Sequence, residues 1–302
     1  MLNFLIVISA AIPLAIAILY PAMGENITEL AGVYNIGLEG IMLISAAVGF
    51  IVALYSHNLV YGVLGGVFTG VLVGVLLAFF ALNIKADQIV FGLSLIIIGP
   101  FLSSFIAGYA PSGINTISVL PAVNLGNWAY PFNYIFNQSI LVYIGFAMLA
   151  AIWYITSRTH FGLAMRATGE DPHVAASTGI NVVVTRWICC IAGCAIAALG
   201  GIFVVFSLTG VWADNVTGGN GFIAIALLRV GGYRPQYVLL ACLVYGFVDA
   251  LQLTVQALRI FPYQFLEMFP YVVGIIALVV QGRFKIFPGP KSLGRPYVKG
   301  ER

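Results

Sequence analysis

The chain has 302 residues, 61% hydrophobic and only 8% charged, with a formal net charge of +3; soluble domains run at about 45–50% and about 25%. Residues 88–157, seventy in succession, contain no Asp, Glu, Lys or Arg, as suits a solvent that charges roughly 2.5–3.5 kcal/mol for each ionised side chain at its centre. This excludes a water-soluble enzyme and implies an all-α polytopic membrane protein, one domain over residues 1–302, with about eight to ten transmembrane helices, one of them short or broken.

In chain order, the apolar runs that read as spans are 2–20, 36–55, 59–81, 89–107, 140–156, 187–208, 237–255 and 268–281. A shorter piece, 219–229, is about half the length a span needs. The first run lacks a positive leader, and its apolar stretch exceeds the 7–15 residues of a secretory signal, so it reads as a retained span. Residues 21–34 then form an inner connection carrying Glu25 and Glu29 with no basic residue.

The second span opens on Asn35, Ile36, Gly37, Leu38, Glu39 and Gly40. An ionisable group there is a candidate for a solute or proton pathway, or a carboxyl bonded to a neighbouring helix. In the third span Gly62, Gly66, Gly70 and Gly74 recur every four residues, a ridge that lets another helix backbone approach closely. The uncharged stretch 108–139 holds Pro111, Pro121, Pro131, Trp128, Tyr130, Phe132, Tyr134 and Phe136. Its aromatic density suits the outer membrane interface, as a lid or docking surface.

The loop 157–186 is the charged one, with Arg158, His160, Arg166, Glu170, Asp171 and His173, and Pro172 placed to start a short helix. Cys189, Cys190, Cys194 and Cys242 fall inside spans without metal-ligand spacing and read as packing residues. Asp214 and Asn215 precede Gly218, Gly219, Asn220 and Gly221. So many glycines cannot sustain a continuous helix, and irregular backbone in a membrane survives only beside protein or a water-filled cavity. Further on, Tyr245, Asp249, Gln252 and Gln256 follow at steps of four, three and four. They share one helical face, which must meet a water-lined route or another subunit.

The tail, 281–302, carries six basic residues against Glu301, a net of +5. Such clusters stay in the cytoplasm. With the short piece counted as a crossing, nine crossings put the N-terminus outside and leave all basic residues inside except Arg259. No cofactor or metal site is expected, and no enzyme. There is no H-E-x-x-H, G-x-S-x-G or nucleotide loop, and the glycines at Asn220 are followed by Phe222 and Ile223 where a phosphate loop needs Lys and Ser or Thr. His57, His160 and His173 read as surface histidines.

Several segments together resemble the permease subunits of ABC importers for nucleosides and simple sugars, in the wider group with ribose and branched-chain amino acid permeases. They are 32–43 (GVYNIGLEGIML), 167–172 (ATGEDP) with Ala175, Ala176, Gly179 and Ile180, 219–224 (GNGFIA), Arg234 with Pro235, and 249–252 (DALQ). They span nearly the whole chain. The resemblance implies an ATP-binding cassette ATPase, a paralogous permease and an extracytoplasmic solute-binding lipoprotein as partners, besides membrane lipid, and no nucleic acid. It implies that Gly169, Glu170, Asp171, Pro172, Ala175, Ala176, Gly179 and Ile180 form the helix that couples to the ATPase. The candidate route residues are Asn35, Glu39, Asp214, Asn220, Tyr245, Asp249, Gln252 and Gln256. The rival reading is an ion-coupled secondary carrier with Glu39 or Asp249 as its proton site. Either way the chain is expected in the cell membrane, crossing it many times, with a cytoplasmic C-terminus.

Overall fold

A computed structural model describes residues 4–111, 115–123, 133–257, 262–284 and 289–298. The described residues form helices joined by short connections, with two isolated β-bridges and no strand among them. The helices are α1 (Phe4–Leu30), α2 (Leu38–Ser56), α3 (Leu59–Ala78), α4 (Gln88–Ala107), α5 (Asn133–Phe136) and α6 (Ile140–Arg158). Then come α7 (His160–Glu170), α8 (Pro172–Ser177), α9 (Val182–Phe203), α10 (Asn220–Val230), α11 (Pro235–Ala257) and α12 (Tyr263–Phe284). Seven described helices are long and apolar enough to cross a membrane, and Asn220–Val230 and Tyr271–Arg283 are shorter apolar helices. Those nine segments are the ones that the placement of charge counts.

Side-chain caps set many of the starts. Asn58, Asp87, Thr159, Asp171 and Asn181 each accept from backbone N–H groups of the first turn of α3, α4, α7, α8 and α9, satisfying donors that a helix leaves open. The caps also correct the sequence reading. Asn181 begins α9 at Val182, ahead of the expected 187, so Arg186 lies inside the helix rather than in the loop. Both α3 and α9 end in a π-helical turn, Phe79–Ile84 and Val204–Thr209.

A larger correction concerns α1. It continues past the expected stop at residue 20, through Pro21, to Leu30, so 21–34 is not a simple inner connection. Proline removes one ladder bond, but a packed neighbour makes this tolerable in membrane helices; Pro21 lies so close to Gly200 of α9 that a Cβ there would sit 2.6 Å from its ring. The centre of α1 is buried almost completely, from Ala15 to Met23, and is packed chiefly by α9, α11 and α10.

The glycine ridge of α3 does what its spacing implies. A Cβ on Gly66 would fall 2.6 Å from Ile202, and one on Gly74 2.7 Å from the backbone of Ile191, so α3 lies directly on α9. The opposite faces are apolar and open. Ile97, Phe101 and Phe105 of α4, Leu64 and Phe68 of α3, and Ile275 and Val279 of α12 are all exposed, a liability in water and a proper surface in lipid.

Of the aromatic stretch, residues 115–123 are tied over the end of α9 by Ile117 N–H to Gly210 O at 2.8 Å, Leu120 N–H to Phe206 O at 2.9 Å and Trp212 N–H to Asn115 O at 2.7 Å. Trp128, Tyr130, Pro131 and Phe132 lie outside the described residues, as do Arg259, Lys285, Lys299 and Arg302.

Candidate functional site

Helix α10 has 11 residues, about 16 Å at 1.5 Å per residue, half of what a bilayer's ~30 Å requires. The chain reaches its start through 214–219, where Asn215, Gly218 and Gly219 all have positive φ, 85° at Gly219. Only glycine takes such angles freely, which is why the region is glycine-rich. The start of α10 is closed by a carboxylate from another helix. Glu39, 4% exposed, accepts from Gly219 N–H at 3.0 Å, Gly221 N–H at 2.7 Å and the Thr217 hydroxyl. Its negative charge sits where the dipole of α10 is positive. Gly221 permits the approach, since a Cβ there would lie 2.7 Å from Glu39 Cα.

Beside this half-length helix is a cavity of about 370 Å³, lined by Gly218, Asn220, Ile223, Tyr245, Asp249, Gln252, Leu253, Gln256 and Tyr271. The polar stripe of α11 thus faces the broken segment, and Asn220, Tyr245, Asp249, Gln252 and Gln256 converge as candidate route residues. Tyr271 of α12 was not singled out in the sequence; it donates to Gly218 O at 3.1 Å. The lining offers one carboxyl, three carboxamides and phenol hydroxyls, a set that pairs with hydroxyls and ring nitrogens.

The other three candidates lie outside that lining. Glu39 is occupied as the cap of α10. Asn35 is fully buried, its side chain accepting from Gly37 N–H at 3.1 Å and reaching Cys194 Sγ at 3.6 Å. Asp214 is exposed and accepts from the Ser104 hydroxyl at 2.6 Å.

A second polar group escaped the sequence reading. Glu25 and Glu29, both fully buried, lie one turn apart on α1. Glu29 faces Arg229 at 3.3 Å and accepts from the Tyr233 hydroxyl at 2.7 Å. Arg229 also lies over the Tyr34 ring, 5.2 Å from its centroid. Glu25 accepts from Asn35 N–H at 2.9 Å and pairs with the Thr28 hydroxyl at 2.8 Å. Burial, with Glu29 adding to it, pushes the Tyr233 phenol well above its usual range, so Tyr233 remains a donor. The available signal was two acids four residues apart with no local base, and an Arg ending the short apolar piece.

At the same end of the bundle, α7 and α8 meet at Asp171. Its carboxylate caps α8 through His173 N–H at 2.9 Å and Val174 N–H at 3.1 Å, with Pro172 in the first turn. Gly179, at φ 89°, and the bond from Ile180 N–H to Ala175 O at 3.2 Å close α8 in a Schellman motif. Gly169, Pro172 and Ala175 are buried and Ala176 half-buried, whereas Glu170, Asp171, His173, Val174 and Ser177 are exposed. The outward face of α8 is therefore made by His173, Val174 and Ser177, with Ala175 turned into the bundle.

Residues 3–280 match the family described as branched-chain amino acid transport system / permease component. The chain is 30% identical to a guanosine ABC transporter permease protein of Bacillus subtilis, covering 98% of each chain. It is 27% identical to a nucleoside ABC transporter permease protein of Lactococcus lactis subsp. cremoris, covering 94% of each. Against a putative glucose ABC transporter permease protein of Haloferax volcanii the identity is 29%, over 84% of this chain and 78% of the relative. No solved structure matches the chain. With its stack of membrane-spanning helices and its match over nearly the full length, the chain belongs to the branched-chain amino acid transport system permease family, as a multi-pass ABC transporter permease.

Proposed function

We propose that the chain forms one half of the translocation route of an ATP-driven importer for nucleosides or simple sugars. The observation that carries this is the cavity between α10 and α11. Its donors and acceptors suit an uncharged, hydroxylated solute, and it opens where a helix is interrupted, as routes in carriers commonly do. The relatives are named for nucleoside, guanosine and glucose, solutes of that chemistry. A paralogous permease supplies the other half, an extracytoplasmic lipoprotein delivers the solute, and a cytoplasmic ATPase seats on α8, below a cytoplasmic C-terminal tail. Glu39 then serves as the fixed cap of α10 and Asp249 as the one acidic group of the route.

The decisive experiment is uptake by the intact assembly, purified in mild detergent with its companions and placed in vesicles. Labelled nucleosides or sugars are expected to accumulate only with ATP on the side of the ATPase. Uptake by the polypeptide alone overturns the proposal. So does uptake that survives ATP depletion and collapses with the proton gradient, which would make Asp249 the proton site of a secondary carrier.

A further inference from the structure

Arg186 is fully buried, yet among the described residues no carboxylate accepts from it. A buried cation is costly unless its donors are met. Here four contacts meet them: Nε donates to Ala31 O at 3.0 Å, Nη1 to Arg295 O at 3.2 Å, and Nη2 to Thr168 O and to Ser292 Oγ, each at 3.2 Å. The carbonyls of Ala31 and Thr168 belong to the closing turns of α1 and α7, whose dipoles are negative there. The remaining acceptors belong to the tail. One guanidinium therefore fastens three chain segments that are far apart in sequence.

The tail is held by more than Arg186. Ser292 donates to Gly169 O through its N–H at 3.0 Å and through its hydroxyl at 2.6 Å, and Gly294 N–H donates to Gly32 O at 3.2 Å. Lys291 forms an ion pair with Glu170, and the Tyr297 ring lies 5.3 Å from that of His173 on α8. Residues 289–298 are thus continuous with the outward face of α8. The charges on this combined face are uneven. Asp171 is spent on its cap and Glu170 on Lys291, whereas on the tail Arg295 is exposed, and on α8 the apolar Val174 is 59% exposed.

We propose that residues 289–298 and α8 together form the seat of the ATPase subunit, with Arg186 as the residue that positions the tail. This rests on the reading of α8 as the coupling helix. The partner that fits is a cytosolic protein surface with an apolar notch for Val174 and an acidic rim facing Arg295. A seat built from two segments fixes the orientation of the motor as well as its place, so that its movement turns α7 and α1 together.

The test uses the full assembly and two readouts: ATPase subunit retained on the affinity-purified permease, and ATPase activity raised by loaded binding protein. Ending the chain after residue 288 and the double change R295A/Y297A are both compared with V174D on α8. The double change leaves the Arg295 carbonyl and Ser292 in place, so it serves even where the shortened chain fails to fold. Each tail variant that folds is expected to lose about tenfold in retention, the scale of a lost interface anchor, and the double change is expected to do so while the permease unfolds at its ordinary temperature. R186K, offering one ammonium for a forked guanidinium, is expected to weaken retention in the same direction. If V174D uncouples and the folded tail variants do not, the tail proposal falls and the coupling helix stands. If V174D too has no effect, the coupling reading falls and takes this proposal with it.

Discussion

The Glu29–Arg229 pair shows how a single residue can hold distant parts of a membrane bundle in register. Glu29 is fully buried, whereas the Arg229 side chain is 37% exposed, so the two partners are not equivalent. Deleting the arginine leaves a buried carboxylate without its countercharge, supported by the Tyr233 hydroxyl; deleting the charge on Glu29 leaves an arginine free to turn toward water. R229M is therefore expected to destabilise by about 2 kcal/mol and E29Q by clearly less, since an abandoned buried charge costs more than an abandoned half-exposed one. The double variant R229M/E29Q is expected to recover much of the loss. Unfolding midpoints of the four proteins in one detergent give the coupling; simple additivity, within about 0.5 kcal/mol, would show that the pair contributes nothing jointly.

At the scale of the element, the glycines of α3 and α12 make opposite predictions from the same residue type. A Cβ on Gly70 would lie 2.7 Å from Cys194 O and 3.1 Å from Ala195 Cα, both backbone of α9, whereas one on Gly274 meets nothing within 4 Å. G70V is expected to cost about 1–3 kcal/mol or to prevent folding, the usual result of overpacking, while G274A is neutral or stabilising by up to about 1 kcal/mol. Yield and thermal midpoint report both, and equal tolerance of the two would remove the direct α3–α9 contact. Elements of this kind were legible in the sequence because their signals are local: apolar length gave the spans, four-residue glycine spacing gave the ridge, and steps of four, three and four gave the polar face of α11. The extent of α1 was not legible. Pro21 and two acids read as an exit from the membrane, and only packing against Gly200 and pairing with Arg229, 200 positions away, makes continuation favourable. Arg186 was hidden likewise, since nothing near it in sequence shows that helix ends and the tail would converge on it.

Among the described residues, polar chemistry gathers at the cavity at the start of α10 and at the platform of α7, α8 and the tail, with α10 and its Glu29 contact between them. An importer needs such a division, because a motor acting at one end must change access to a solute site at a distance, by favouring one of two states. The chain's own thiols make this measurable: Cys189, Cys190, Cys194 and Cys242 are all buried and free, so an added cysteine reports alone. Q256C places one on the cavity lining, and I97C places one on a lipid-facing surface, 64% exposed. A maleimide reacts with thiolate, which forms in a wet cavity and is suppressed in an apolar setting. In the intact assembly, a water-soluble maleimide is expected to label Q256C at rates differing about tenfold between the nucleotide-free and ATP-trapped states, as for a population moved by ~1.4 kcal/mol, and to leave I97C unlabelled in both. Equal labelling of Q256C in the two states would mean that the cavity does not change access with nucleotide and is a packing defect between α10 and α11. Rapid labelling of I97C would mean instead that the apolar flank of α4 is wet, and that the outward faces belong to something other than lipid.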